Sequence, residues 1–402
     1  MSAGVKEPLP ALPDPQPQRL AGLFAELARL VTPSRKERPV ADLVLSFLRS
    51  LGLAPWEDDA ATMVNGVAGN VLCSVPGQGN AGGEDGIPRL ALGAHMDTVA
   101  CSGDIHPVLE DGVFRSSAGT ILGADDKAAV AVLLHASELL LGAGLTVPPY
   151  ELFFTVAEEV GLRGAKAMKP GVFRSRRALV LDASGPVGGV IVRAPGQNTI
   201  SALFTGRAAH AGVEPEKGIN AIAAAARAVA DMPLGRLDDE TTANIGLISG
   251  GSARNIVPES CRVEGEVRSH SEERLADVTQ QVIEALNWGA AVGGTDIEID
   301  VSEEYRAYAL SRECSVVKLG RQALQAASLV PRIESAGGGS DASILNGWGV
   351  ETANMAIGME AVHTAEEHVS LKDMVALTRV VMAAILLSAD EAPSKESSRE
   401  GS

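Results

Sequence analysis

Arg89-Leu90-Ala91-Leu92-Gly93-Ala94-His95-Met96-Asp97-Thr98 decides how this chain is read. A short apolar run from Leu90 to Ala94, closed by polar residues, predicts a strand buried on both faces, as in a parallel sheet. His95 and Asp97 flank Met96, so in extended backbone their side chains leave on the same side. Two more stretches end alike. Ile121-Leu122-Gly123-Ala124-Asp125-Asp126-Lys127 and Leu152-Phe153-Phe154-Thr155-Val156-Ala157-Glu158-Glu159-Val160-Gly161 each pass from apolar residues to carboxylates. His, Asp and Glu are the residue types that ligate divalent metals or move protons. Together the three stretches predict a metal site built on strand ends.

Outward from there, strands and helices alternate. Residues 20–30 and 40–51 have helical apolar spacing, and 70–75 and 89–95 read as strands. Residues 77–86 read as a glycine-rich turn or hairpin tip, and 104–117 as polar and irregular. A long helix is expected from Asp125 to about Leu141, then buried strands over 150–157 and 178–182. This is the pattern of an α/β domain: a mostly parallel sheet flanked by helices. In such sheets ligands bind beyond the carboxyl ends of the strands, where these polar residues fall.

The pattern changes near Gly188. Strands are expected at 200–205, 244–249 and 260–269, and helices at 219–230 and 272–286, an inserted α+β unit. A helix over 313–327, the glycine-rich Gly337-Gly338-Gly339-Ser340-Asp341, a strand over 352–357 and a helix from Leu371 resume the first domain. The expected organisation is a Pro-rich disordered lead (1–18), a catalytic domain in two segments (19–187 and 305–389) around the insertion (188–304), and a disordered tail (390–402).

Composition excludes several function classes. The 402 residues carry a formal charge of −17, which repels nucleic-acid phosphates and anionic membranes. Cys73, Cys101, Cys261 and Cys314 are widely spaced, as free thiols of a reducing compartment would be. No apolar signal core opens the chain and no run is long enough to span a bilayer; the expected location is cytoplasmic.

The candidate residues carry different weights. Asp125 stands where a helix begins, so capping explains it as readily as metal binding. Glu158 and Glu159 close a buried strand and leave it on opposite sides, so one can bind metal while the other faces a water as general base. Asp182 ends the apolar run 178–181 and reaches the same sheet edge, although an acid opening the next turn would look the same. His363 and His368, in Val362-His363-Thr364-Ala365-Glu366-Glu367-His368-Val369, are alternatives for completing the shell.

With these residues in place, the chain resembles the co-catalytic zinc peptidases of the M20 family, most closely its peptidase T (tripeptide aminopeptidase) branch. The resemblance rests on His95-Met96-Asp97-Thr98, Gly123-Ala124-Asp125-Asp126-Lys127, Glu158-Glu159-Val160-Gly161, Gly164-Ala165-Lys166 and Leu181-Asp182. It continues through Ala209-His210-Ala211-Gly212, Val267-Arg268-Ser269-His270, Gly338-Gly339-Ser340-Asp341 and His363-Thr364-Ala365-Glu366-Glu367-His368-Val369. It implies two zinc ions per subunit, with manganese or cobalt as alternatives. His95 and Asp182 would hold one, Glu159 and His363 the other, Asp125 both; Glu158 would be the general base, with Asp97 behind His95. The insertion would be a lid and dimerisation domain making a homodimer. From it His210 would stabilise an oxyanion, Arg268 would bind a substrate carboxylate and Asn255 would contact substrate. The implied reaction releases the N-terminal residue of a short peptide.

Other readings remain distinct. Carboxypeptidases, dipeptidases and N-acyl amino acid deacylases share this cage in the family. A non-catalytic binding protein on the same fold would have lost a ligand, yet every cage position and Glu158 are present. Cys101 lies near the His95 stretch without a Cys/His/Asn signature around it, which disfavours a cysteine hydrolase.

Overall fold

The computed structural model describes residues 9–79 and 86–390. The expected disorder of residues 1–8 and 391–402, and most of the expected turn at 77–86, lie outside the described residues. The chain forms two compact units. One holds the described residues up to Val192, Leu310–Ser335, and those from Ser340 onward; the other holds Arg193–Ala309 and Ala336–Gly339. The change of unit comes a few residues later than the change of pattern at Gly188, because Gly189–Ala194 is a strand that pairs through Val190 and Ile191 with the first unit's Glu351–Ala356.

The first unit is built on a mixed sheet. Its strands follow the order Trp56–Glu57, Val71–Val75, Tyr150–Thr155, Ala91–His95, Arg177–Ala183, Glu351–Ala356, Gly189–Ala194. The four strands from Tyr150–Thr155 to Glu351–Ala356 run parallel, and antiparallel strands flank them. Every residue of Ala91–His95 and Tyr150–Thr155 is buried, which explains why both are mostly apolar, with Glu151 as a buried exception. The register sets the site. His95 pairs with Thr155 and Gly93 with Val180, so His95, Asp182 and the Glu158-Glu159 turn lie at one end of the sheet. The helix Ala124–Gly142 packs on the Ala91–His95 strand and on the closing helix Leu371–Leu387.

Three local expectations need correction. Residues 107–116 are not irregular: Pro107–Glu110 and Val113–Ser116 form a hairpin. Its turn is Asp111-Gly112, both at positive φ (49° and 80°), the residue pair that such a turn selects. This hairpin also pairs with His368–Ser370. The described portion of the Pro-rich lead, residues 9–18, is ordered. Leu9 and Leu12 pack against the core, Pro15 accepts a 2.7 Å bond from His135 Nε2, and Pro17 opens a helix in the first-turn position that tolerates proline. Asp125 and Asp126, inside the helical stretch, are not helical in backbone (ψ 102° and 22°), so the regular helix begins after them.

The second unit is a five-stranded antiparallel sheet in the order Gly235–Asp238, Thr241–Gly250, Ser260–Ser269, Gly196–Thr205, Asp296–Tyr305. Helices Ala221–Asp231 and Glu272–Gly293 pack on it around their own core. Asp296–Tyr305 is absent from the sequence expectation. Exposed Asp296, Glu298 and Asp300 alternate there with half-buried Ile297 and Ile299, a period of two hidden within an acidic run. Among the described residues, no helix is long and apolar enough to cross a membrane, and the four cysteines are free.

Gly93 lets the strand that ends in His95 lie against its neighbour. A Cβ there would sit 2.0 Å from Cζ of Phe153, whose ring also packs on Phe173 at 5.0 Å. Gly93→Val should therefore destabilise the first unit by about 1–3 kcal/mol, the usual scale of overpacking. A thermal unfolding midpoint equal to wild type would show that the Phe153 ring can move aside.

Candidate metal centre

Strand ends (His95, Asp182 and the turn bearing Glu159), the turn into helix Ala124–Gly142 (Asp125) and a loop (His363) bring five of the sequence candidates together. His95 Nε2 lies 3.0 Å from Asp125 Oδ1 and 3.7 Å from Asp182 Oδ1. His363 Nε2 lies 3.0 Å from Glu159 Oε1 and 3.2 Å from Asp125 Oδ2. The ligand atoms of His95, Asp125 and Asp182 fall within 4.8 Å of one another, as do those of Asp125, Glu159 and His363. Asp125 thus gives one oxygen to each histidine.

These residues fit divalent metal on two grounds. Ligand atoms around a tetrahedral ion with bonds near 2.1 Å lie about 3.4 Å apart, and the separations here bracket that value. The tautomer supplies the other. His95 Nδ1 donates to the main-chain oxygen of Asp97 at 3.0 Å, leaving an Nε2 lone pair facing carboxylate oxygens. Such an arrangement is favourable only with a proton or a metal ion between them.

The proton affinities show the same demand. Burial pushes the Asp182 carboxyl up to about 7, against hydrogen bonding with His95 that pulls it down. Burial, then the charge of Asp182, holds Glu158 well above the usual carboxylate range. Burial disfavours charge on His95, but hydrogen bonds with Asp125, Asp182 and Asp97 outweigh it and raise the ring well above its ordinary value. Hydrogen bonds with Asp125 and Glu159 lift His363 to about 10. Burial would raise Asp125, yet the bonds from His363 and His95 bring it below the usual range. Asp341, also buried, is pushed up to about 6 although Thr155 donates to it at 2.5 Å. Carboxyls therefore outnumber the imidazoles among them, and divalent cations would neutralise the excess.

The ligands hang on turns whose amides are held from behind. Asn70 Oδ1 accepts from Val156 N at 3.0 Å, and Glu37 Oε1 from Ala157 N at 3.0 Å. Asp97 Oδ1 and Oδ2 accept from Glu158 N at 3.0 Å and Glu159 N at 3.2 Å. Asp97 therefore orients the two glutamates at least as directly as it orients His95, whose Nδ1 is 3.6 Å from its carboxylate. Asp126 Oδ2 accepts from His95 N at 3.1 Å. Asn354 Oδ1 accepts from Asp182 N at 2.9 Å. Glu367 accepts from the amides of Leu122, Gly123 and Asp125. Sequence reasoning missed Glu37, Asn70, Asn354 and Glu367, because nothing in their neighbouring residues marks an amide partner far away in sequence.

Other candidates are not members of these two groups. His368 turns its Nδ1 to the main-chain oxygen of Glu366 at 2.9 Å and its Nε2 toward Glu360, so of the two loop histidines only His363 joins the cluster. His210, Asn255 and Arg268 belong to the second unit. His210 and Asn255 are exposed on adjoining segments: Ala211 N donates to Asn255 O, and His210 forms a bridge with Ile256. Arg268 is paired in two-pronged fashion with Glu266, at 2.8 and 3.1 Å.

Known proteins resemble this chain over nearly its whole length. Residues 196–293 match the M20 peptidase dimerisation domain. The chain is 34% identical to the uncharacterized protein YqjE of Bacillus subtilis over 92% of its own length and 98% of that protein's. It is similar to the crystal structure of aminopeptidase PepT from Bacillus cereus (TM-score 0.81, 34% identity, 93% of this chain and 99% of that one). It is also similar to a tripeptidase from Staphylococcus aureus (TM-score 0.85, 33% identity, 94% and 99%).

The amide clamp on the glutamate turn can be tested without metal. Asp97→Ala removes the acceptor of two consecutive N–H groups, so hydrogen exchange in peptides covering residues 156–160 should accelerate well beyond that of the Arg177–Ala183 strand. Unchanged protection across that turn would assign its order to other contacts.

Proposed function

The chain belongs to the M20 peptidase family, and we propose that it is a metal-dependent aminopeptidase that releases the N-terminal residue from short peptides, tripeptides in particular. The observation carrying this reading is the division of Asp125, with Oδ1 toward His95 and Oδ2 toward His363. His95 and Asp182 would hold one divalent ion, Glu159 and His363 the other, with Asp125 shared. Zinc suits the mixed imidazole and carboxylate set, and manganese or cobalt could replace it. When bound, two such ions supply polarisation of the scissile carbonyl and a water of lowered pKa.

The chain's own groups do the rest. Glu158 stands beside the group without being one of its shared ligands, and its raised proton affinity suits a base that takes a proton from water and returns it to the departing amine. Asp97 holds the main chain of both glutamates, so it governs how Glu158 and Glu159 divide these tasks. In the second unit, His210 would stabilise the oxyanion, with Asn255 and Arg268 contacting the substrate backbone and carboxylate. The similarity to an aminopeptidase and a tripeptidase over nearly the whole chain supports the choice of substrate. The match to a dimerisation domain supports a homodimer formed through residues 196–293, and the composition supports a cytoplasmic location.

Glu158→Gln should keep its metal, measured by elemental analysis, while kcat falls by about 10²–10⁴-fold, the usual loss of a general base. Near wild-type turnover with full metal would remove Glu158 from that role. Substrate class is decided by comparing a free tripeptide with its N-acetylated form. Release of the first residue from the free peptide alone is expected; faster cleavage of the acetylated peptide would make the enzyme a deacylase or carboxypeptidase instead.

A further inference from the structure

Glu367 lies on the same loop as His363 but faces elsewhere. It is 2% exposed; the buried Lys127 acts on its carboxylate through space, and no side-chain donor is among its hydrogen-bond partners. Its partners are main-chain amides: Oε2 accepts from Leu122 N at 2.7 Å and Gly123 N at 2.8 Å, and Oε1 accepts from Asp125 N at 3.0 Å. These amides belong to the turn leading into the helix Ala124–Gly142, where N–H groups lack partners from within the helix. Gly123 (φ 73°) and the extended Asp125 (φ −79°, ψ 102°) turn them toward one point.

We propose that Glu367 is a positioning residue for the metal centre. Its carboxylate fixes the peptide plane of Asp125 and ties it to the loop bearing His363. The consequence differs from that of an ordinary helix cap. Asp125 serves both three-residue groups, so a rotation of its backbone displaces one oxygen from each histidine together. His363 sits four residues before Glu367, at φ 64°, and the loop is fastened behind by the pairing of His368 with Arg115. Thus one buried carboxylate connects the shared ligand to the terminal ligand of the second group. This inference rests on the metal-centre reading above.

The test compares Glu367→Gln with Glu151→Gln. Glu151 is also a buried carboxylate that accepts main-chain N–H groups, from Arg174 at 3.0 Å and Ser175 at 2.9 Å, but it lies at the opposite end of its strand from the cluster. An amide at 367 has one acceptor oxygen; if that oxygen stays with Leu122 and Gly123, an NH2 group faces Asp125 N. Full-length protein is stripped of metal and titrated with cobalt, following the visible ligand-field spectrum and the stoichiometry. Affinity for both ions should weaken by about 10–100-fold in Glu367→Gln with an altered spectrum, and kcat should fall with little change in KM. Glu151→Gln should melt earlier and yet bind cobalt as wild type does. Wild-type affinity and spectrum in Glu367→Gln would overturn the proposal, as would equal weakening in both variants. If Glu367→Gln fails to fold, Glu367→Asp, which keeps the charge and shortens the reach, is put to the same titration: weakened cobalt binding upholds the proposal and wild-type binding overturns it. A wild-type chain that binds no cobalt would instead remove the metal centre itself, and this inference with it.

Discussion

A buried carboxylate accepting main-chain N–H groups is the interaction on which the site depends. Three of the proposed ligands, Asp125, Glu159 and His363, are borne by segments that leave regular structure: Ala157 has φ 51°, His363 φ 64°, and Asp125 is extended where a helix has begun. Backbone in such conformations loses its ladder or helix partners, and a buried N–H without one is unfavourable by about 1–3 kcal/mol. Asn70, Glu37 and Asp97 together take the amides of residues 156–159 in succession. Glu367 takes those of the Asp125 turn. Hydrogen bonds from amides to an ionised carboxylate are stronger than neutral ones, which lets an acid be buried without a direct lysine or arginine ion pair. The acid and the strained turn stabilise each other.

Sheet topology makes this economical in chain length. Parallel strands end on the same edge, so polar residues placed just after apolar runs arrive together without any long excursion. The pairings His95 with Thr155 and Gly93 with Val180 fix their heights, and Asn354, from the next parallel strand, holds Asp182 by its main-chain N–H. Residues distant in sequence therefore meet through register rather than through loop folding. Asp125, on the turn into helix Ala124–Gly142, and the His363 loop are brought in separately; the Asp111-Gly112 hairpin and Glu367 anchor the loop, and Glu367 also holds the Asp125 turn.

This explains which features are readable in the sequence. The ligands stand at abrupt changes from apolar to acidic residues, and burial makes such changes conspicuous. Asp125, as a capping acid, and His363 against His368 are undecided on spacing alone; what separates them is the distances at the cluster. The amide-holding acids leave no comparable mark. Glu37 lies in a polar stretch and Glu367 beside Glu366, and neither has an apolar run to signal its burial. Their partners are main-chain groups, which any residue provides, so no pairing of side-chain types points to them. The hairpin at 107–116 escapes for a different reason: its Asp-Gly turn signal is present, but its short strands lie in a polar stretch that weakens it.

Gly338 and Gly339 serve close packing within the second unit. A Cβ on Gly339 would lie 2.3 Å from Tyr305 Cε2, and one on Gly338 would lie 3.2 Å from Arg268 Nη1. Without those carbons, Gly339 N reaches the Tyr305 hydroxyl at 3.1 Å, and that hydroxyl donates to Gln197 Oε1 at 2.6 Å. Gln197 Nε2 in turn donates to Glu266, which grips Arg268. The guanidinium is thus held in one orientation by a linked set of neutral and charged bonds, with its charge partly answered by Glu266. An arginine prepared in this way loses little rotamer freedom on meeting a carboxylate, but it must share its charge with one already present. Such a group favours correct geometry over raw attraction. That would suit the role proposed above for Arg268, the alignment of a substrate carboxylate.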